Sequence, residues 1–555
     1  MNFYQTNINC IISTLYQNGL RHAIICPGSR NAPLIMAFSR FKKIKCTSIV
    51  DERSAAFVAL GMAKQLKEPV AIICTSGSAV VNLYPAVTEA YYMQIPLLVI
   101  TADRPSELID RWDGQMIRQF DVFKSHTKGS FQTPENISIN CFEDIHLITS
   151  KFYKSANTAN KGPAHLNVPL KEPLYTAVLE EFEYPVFIQT EKTAIFESSF
   201  ELPKFNFETN TKVLILCGAN EGKIEHSNLE VISNNKYAMV IADVISNCHS
   251  VQNIENWEGV LLNLNEAQRK EFVPDLLITT GKMVLNKTLK TLFRNNKPRH
   301  HWHISDNGFF ADMFFNNPQI IVANKDSFFS KLSQILPQEE SHYYSKLKNL
   351  ALVQLNKSHE VLNQNFNEFL AVKKVLETLP ENIILHLANS MTLRYVAYLC
   401  NVLKNTWQIN CNRGVSGIDG CTSTALGAAL VNTQLHVLIT GDIAFFYDIN
   451  ALWQQNLPTN FKIVILNNFG GNIFKIIEGP SQMSELNPFL ETPHSQNAEL
   501  LAQHFKVGYF KVSTLETLDK TINQWLSLND TAILEIQTDS TINTKIFNQY
   551  KNITL

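Results

Sequence analysis

The plainest chemistry in the 555-residue chain lies in two short strings that follow apolar runs. Gly441-Asp442 comes directly after the run at 435–440, and Asn467-Asn468 directly after the run at 461–466. With a crossover helix between them at 449–455, a right-handed βαβ unit brings both turns to one edge of a parallel sheet. The Asp442 carboxylate, the Asn468 side-chain oxygen and a backbone carbonyl such as that of Gly470 are hard oxygen ligands. They suit an octahedral Mg2+, with Mn2+ as an alternative, completed by diphosphate oxygens and water. Gly470 and Gly471 let the backbone approach phosphates closely. On residue types alone, an ordinary turn followed by an Asn-rich turn is the competing reading.

A second group is cationic. Arg30, Arg104, Arg394 and Arg413 all fall in turns at strand ends, where open α/β sheets place ligands. The planar guanidinium fork holds a carboxylate at two points and stays charged. Taken singly, each arginine also fits a surface or interdomain ion pair.

The GD…NN pair resembles the signature of the thiamine diphosphate enzymes. The resemblance extends over the first third through Val50-Asp51-Glu52-Arg53-Ser54-Ala55-Ala56, the string from Thr75-Ser76-Gly77-Ser78 to Pro85-Ala86, and Gly162-Pro163-Ala164-His165-Leu166-Asn167-Val168-Pro169. It implies thiamine diphosphate as cofactor, with Gly441, Asp442, Asn468 and Gly471 about its diphosphate and Ile418 as an apolar wedge beneath its thiazolium ring. It also implies Glu52 beside N1′ of the aminopyrimidine, where a carboxylic acid promotes the 4′-imino form that removes the C2 proton. Burial against the heterocycle would raise the Glu52 pKa. Asp51 has the plainer reading of favouring the positive end of a helix dipole.

Four further strings resemble the menaquinone-pathway branch of that family: Pro27-Gly28-Ser29-Arg30-Asn31-Ala32-Pro33, Ala102-Asp103-Arg104-Pro105-Ser106-Glu107-Leu108, Ala388-Asn389-Ser390-Met391-Thr392-Leu393-Arg394 and Asn412-Arg413-Gly414-Val415-Ser416-Gly417-Ile418-Asp419-Gly420. Members of that branch are transferases that decarboxylate 2-oxoglutarate and add the resulting carbanion to isochorismate. Both substrates carry two carboxylates, which gives Arg30, Arg104, Arg394 and Arg413 their role. The resemblance further implies Ser29 and Ser390 on substrate oxygens, Gln115 facing the reacting carbon, Lys287 reaching a carboxylate and Phe474 lining the acceptor pocket. It places the Glu52 and Asp442 parts of one site on different subunits, hence a homodimer or homotetramer. The chain departs from the pattern at Gly114, where some relatives carry asparagine, and at Thr392, where proline is frequent. An acetolactate synthase-like enzyme or another 2-oxo acid decarboxylase is the nearest rival; the number of arginines and the lack of a flavin fingerprint weigh against it. Intact Glu52, Asp442 and Asn468 weigh against a non-catalytic binding protein of the same fold.

Such residues need a scaffold that gathers strand ends. Apolar runs at 22–26, 48–50, 70–74 and 96–101 alternate with amphipathic stretches, the pattern of βα units on a parallel sheet. A Phe-, Glu-, Thr- and Pro-rich stretch at 180–208 reads as a linker. Runs at 213–217, 238–242, 276–279 and 301–304 then mark a middle unit. A long helical pattern at 345–379 opens the last third, with strands at 383–387, 406–408, 435–440 and 461–466, and a final strand at 533–536 before a short tail. The expectation is an α/β protein of three doubly wound parallel-sheet domains of the thiamine diphosphate-binding type: pyrimidine-binding over 1–178, linker and central domain over 179–340, and diphosphate- and metal-binding over 341–555. The first and last share an architecture.

Composition narrows the partners. With 45% apolar and 18% charged residues and a net charge of -2, the chain has no electrostatic footprint for nucleic acid or a membrane surface, which leaves small molecules and copies of itself. It has no apolar run of the roughly 20 residues that span a bilayer and no basic-then-apolar start, so a cytoplasmic location is expected. The 10 cysteines form no CxxC pair and read as reduced, mostly buried thiols. His301 and His303 have the spacing of two metal ligands on one strand face, but no third ligand is evident. His126 reads as a solvated helix end.

Overall fold

Short runs rich in Val, Ile and Leu, buried on both faces, form the central strands, as parallel sheets covered by helices require. The computed structural model describes residues 3–135, 142–175, 200–220 and 227–555. Among the described residues, three sheets hold 17 strands. The first comprises β1 His22–Ile25, β2 Lys45–Ser48, β3 Val70–Cys74, β4 Leu97–Asp103, β5 Ser130–Gln132 and β6 Ala164–Pro169. The middle sheet comprises β7 Val213–Cys217, β8 Met239–Ala242, β9 Leu276–Thr280, β10 His300–Ser305 and β11 Gln319–Val322. The third comprises β12 Ile384–Leu387, β13 Gln408–Cys411, β14 His436–Gly441, β15 Phe461–Asn467, β16 Gly508–Val512 and β17 Ala532–Gln537.

Strand order is β2-β1-β3-β4-β6-β5, then β11-β10-β9-β7-β8, then β13-β12-β14-β15-β17-β16. Counted by appearance, the first and third sheets share one topology, 2-1-3-4-6-5. Described pairings such as β3 with β4, β7 with β9 and β15 with β17 are parallel. Alternate residues of the middle sheet enter two cores: Ile215, Val240 and Ile278 pack with Phe328, whereas Leu216, Ile241 and Leu277 pack with Trp257 and Phe293. That is the doubly wound arrangement. Order reverses between β1 and β3, between β7 and β9, and between β12 and β14, so the turns after those strands are the places such sheets offer to ligands.

Several local expectations shift. The second strand lies at Lys45–Ser48, before the run at 48–50, because its polar residues pair with β1, Lys45 opposite His22. Likewise β13 starts at Gln408, opposite Ile384, while the Trp407 indole just before it donates to the Pro380 carbonyl at 2.8 Å. No helix occupies 449–455; the crossover helix runs Asp442–Tyr447 and is followed by a 3-10 turn at Ile449–Leu452. The pattern at 345–379 divides into His342–Leu362 and Glu368–Thr378, each started by its own cap, Ser341 and Asn367. The tail is a helix, Ser540–Lys551, capped by Asp539 and burying Ile546, Phe547 and Tyr550. Of the linker-like stretch, 180–199 lies outside the described residues; Phe200, Phe205 and Phe207 pack on the middle core. Among the described residues nine cysteines are free, eight of them buried, and no helix is long and apolar enough to cross a membrane.

The chain divides into two compact units: Met1–Lys192 with Asn412–Leu438 and Ala444–Phe461, and Thr193–Cys411 with Ile439–Ile443 and Lys462–Leu555. In the first, the helix Glu52–Leu66 crosses Cys421–Ala429 at contact distance. Glycine is required there, since a Cβ on Gly61 or Gly427 would overlap the backbone carbonyl of Thr424 or Val58.

Candidate active site

In the second unit, Asp442 follows β14 and is 3% exposed. Its Oδ1 accepts from the Ile443 amide at 2.7 Å and its Oδ2 from the Gly470 amide at 3.0 Å, with His494 Nε2 3.2 Å from Oδ2. Asn468 donates through Nδ2 to Glu368 Oε1 at 2.7 Å, which leaves its Oδ1 buried and without a hydrogen-bond partner. Phe469 has φ 64°, a conformation uncommon outside glycine, and this turn returns the Gly470 amide to Asp442. The Gly471 amide donates to the Glu491 carbonyl at 2.7 Å, and the Phe474 ring packs beside Gly471. A Cβ on Gly441 would enter open space. Buried polar atoms almost always find partners, so the orphaned Asn468 oxygen next to a buried carboxylate fits a divalent cation.

Glu368 is absent from the sequence reading. It is 1% exposed, and burial pushes its carboxyl up to about 7, with the Asn468 hydrogen bond pulling the other way and Asp442 adding to the rise. Tyr395 donates to its Oε2 at 3.1 Å. By holding Nδ2, it fixes the orientation of the Asn468 amide. In sequence it is only an acid in the first turn of a helix, but every neighbour from Asn367 to Val372 is buried, and that apolar setting was the available signal.

In the same unit Ser390 sits at φ 80°, ψ −132°, a strained region for a residue with a side chain and one concentrated at functional sites. Arg394 is exposed and donates to the Ser390 carbonyl at 2.8 Å. Lys287 opens the helix Lys287–Asn295 and is exposed.

The first unit holds Ser29, Arg30, Glu52, Arg104, Gln115, Arg413 and Ile418. Arg30 is 5% exposed; it donates to the Leu170 carbonyl at 3.0 Å and pairs with Glu172 at 3.1 Å. Burial, then the nearby Arg104 guanidinium, lower its pKa, so these two cations are brought together. Arg104 lies 3.7 Å from Asp113. Gln115, exposed at φ 57°, accepts through its carbonyl from Ser76 Oγ at 2.9 Å. Beneath it runs a buried network: Gln119 Nε2 donates to the Ala102 carbonyl and to Asn167 Oδ1, and Asn167 Nδ2 to Asp103 Oδ2. It ties the turn of Arg104 to the loop of Gln115.

Glu52 is the first residue of its helix. Asp51, the cap, accepts from the Arg53 and Ser54 amides and from Asn450 Nδ2 at 2.7 Å. Glu52 is close enough to Cys26 to add to the rise that burial imposes on that thiol. Asp448 anchors the neighbouring segment, accepting from the Ser423 amide and hydroxyl, each at 2.7 Å, and burial pushes its carboxyl up to about 7. Because the folded state holds this proton above the ordinary value of 3.8, the contribution to stability is full below that value and is lost as pH rises towards 7. Wild type should lose up to about 4 kcal/mol over this window relative to Asp448→Asn, in denaturant titrations at stepped pH; parallel curves would refute the assignment.

The loop of Arg413 and Ile418 is held by a second acid that the sequence reading passed over. Glu89, 1% exposed, accepts the Gly414 and Val415 amides at 2.8 Å each. Both Arg413 and Ile418 are half-buried. Glu89→Ala should lower the thermal midpoint by about 5–10 °C and depress turnover, with Glu89→Gln in between; equal midpoints in calorimetry would count against the clamp.

One other expectation changes. His126 is no solvated end: its Nδ1 is 3.0 Å from the Tyr84 hydroxyl and its ring meets those of Tyr84 and Tyr91 edge-on. His301 and His303 lie within β10 and share the Thr279 hydroxyl at 2.9 Å each, and burial lowers their pKa values to about 4 and about 3.

Residues 6–125 match the thiamine pyrophosphate enzyme N-terminal TPP binding domain, and residues 392–536 the thiamine pyrophosphate enzyme C-terminal TPP binding domain. Fold and site therefore define a thiamine pyrophosphate-dependent enzyme. The 2-succinyl-5-enolpyruvyl-6-hydroxy-3-cyclohexene-1-carboxylate synthase of Flavobacterium johnsoniae is 39% identical over 97% of both chains, that of Flavobacterium psychrophilum 37% over 98% of both, and that of Cytophaga hutchinsonii 36% over 97% of both. The chain belongs to this synthase family.

Proposed function

We propose that the enzyme decarboxylates 2-oxoglutarate and adds the resulting carbanion to isochorismate, giving 2-succinyl-5-enolpyruvyl-6-hydroxy-3-cyclohexene-1-carboxylate in cytoplasmic menaquinone biosynthesis. The observation that carries the reading is the buried, partnerless oxygen of Asn468, on the turn that Gly470 ties to Asp442, in a chain whose relatives bear the name of that product's synthase. Asp442, Asn468 and the Gly470 carbonyl hold Mg2+, for which Mn2+ can substitute, and Gly441 and Gly471 leave room for the diphosphate. Thiamine diphosphate, when bound, supplies the electron sink for the pair released by decarboxylation. Glu52 would hold the proton at the pyrimidine, and Ile418 would give the thiazolium ring an apolar contact.

Arg30, Arg104, Arg394, Arg413 and Lys287 neutralise substrate carboxylates, the charge-assisted bonds that such anions favour. Ser29 and Ser390 donate to substrate oxygens, Gln115 faces the reacting carbon, and Phe474 lines the acceptor side. We read the chain as three domains, 1–178, 179–340 and 341–555. Self-association as a homodimer or homotetramer is supported by apolar side chains left exposed in the first unit: Val50, Val81, Tyr92, Trp112, Val415 and Tyr447. The test is carbon dioxide release from 2-oxoglutarate by the purified protein with thiamine diphosphate and Mg2+. Release that requires isochorismate supports the reading, and turnover of pyruvate in its place moves the activity to an acetolactate type.

A further inference from the structure

A buried acid on a helix packed beside the middle sheet stands behind two of the proposed carboxylate-binding cations. The turn at 281–286, after β9, lies where that sheet reverses its strand order and leads straight into Lys287. Backbone bonds hold its first half: the Ala219 amide to the Met283 carbonyl and the Lys282 amide to the Ala219 carbonyl, each 2.8 Å. Two carboxylates hold the second half. The Leu285 amide donates to Asp243 Oδ2 at 2.6 Å, and Asn286 Nδ2 donates to Glu258 Oε2 at 3.0 Å. Asn286 Oδ1 meanwhile caps the Lys287 helix by accepting from the Leu289 amide at 2.9 Å. One side chain thus separates Glu258 from the backbone that presents Lys287.

Glu258 belongs to the helix Trp257–Asn263, which packs against both Lys287–Asn295 and Met391–Tyr398. It is 6% exposed. Burial and Asp243 push its carboxyl up to about 8, while Asn286 and Arg394, the latter on the second of those helices, pull the other way. A carboxyl so placed costs stability compared with an apolar residue of its size, so packing alone does not account for it. We infer that Glu258 is a positioning residue for substrate recognition: through Asn286 it fixes the turn that carries Lys287, and beside Arg394 it sets where the second cation stands, so that both meet a dicarboxylate at a defined spacing. This rests on the reading above that Lys287 and Arg394 bind substrate carboxylates.

The test is steady-state kinetics of the holoenzyme with both substrates, comparing wild type with Glu258→Leu, Asn286→Ala and Glu258→Gln, alongside a thiamine diphosphate titration of each. Glu258→Leu and Asn286→Ala should raise KM for 2-oxoglutarate or isochorismate about 10-fold, the size of one hydrogen bond, with kcat within about threefold and cofactor affinity unchanged, the pattern of lost ground-state binding. Glu258→Gln keeps an acceptor for Asn286 and should stay within about threefold of wild type in KM. Unmoved KM values in both disruptive variants of an active enzyme overturn the inference alone, as does a joint fall of kcat and cofactor affinity without a KM change. A wild type inactive on this substrate pair overturns the functional reading and this inference with it.

Discussion

Glu52→Gln lowers turnover by about 10²–10⁴-fold, the range typical of a lost acid-base group, and leaves the thermal midpoint close to wild type. The substitution keeps shape and hydrogen-bonding length and removes only the capacity to exchange a proton. Stability is spared because the helix start does not depend on Glu52: Asp51 accepts the Arg53 and Ser54 amides, and Asn450 holds Asp51 in turn. The adjacent acids should therefore separate cleanly, Asp51→Ala costing about 1 kcal/mol of stability as a lost cap and Glu52→Gln costing rate. Carbon dioxide release and calorimetry on both variants decide the matter, and a Glu52→Gln enzyme with more than about a tenth of wild-type turnover removes Glu52 from the acid-base role.

Asp442→Asn weakens Mg2+-dependent thiamine diphosphate binding by about 100-fold or more, since changes even to residues that only support a metal ligand cost 10–100-fold. Asparagine keeps one acceptor oxygen for either the Ile443 or the Gly470 amide, so what disappears is the second acceptor together with the negative charge a hard cation requires. Glu368→Gln should fall within about 10–100-fold, because it perturbs the orientation of Asn468 without removing a ligand. Equilibrium titration of the cofactor at fixed Mg2+ measures both. Wild-type affinity in Asp442→Asn would show that the buried carboxylate serves only to fold the turn.

Part of this was legible in the sequence because it is local. A strand followed within one or two residues by Gly-Asp or Asn-Asn places those side chains at a sheet edge whatever the rest of the chain does, and alternating βα patterns lead to parallel sheets through the handedness of crossovers. Polar edge strands such as β2, Lys-Cys-Thr-Ser, carry no such pattern, and their place comes from the ladder with β1. The segment of the helix Ser540–Lys551 reads as a tail in sequence because its apolar residues matter only once there is a core to receive them.

The sequence by itself determined the α/β class and pointed to the turns and side chains proposed to face the chemistry. Tertiary structure alone decided what holds those residues still. Glu89 reaches the Arg413 loop across 325 residues of chain and Glu368 reaches Asn468 across 100, while Glu258 feels the charge of Arg394 only because one helix packs against another. In sequence Glu89 and Glu258 are acids on helices, indistinguishable from solvated ones, and only its apolar neighbours set Glu368 apart. The difference is burial, a property of the assembled fold, which removes water and leaves each carboxylate to the donors that packing brings to it.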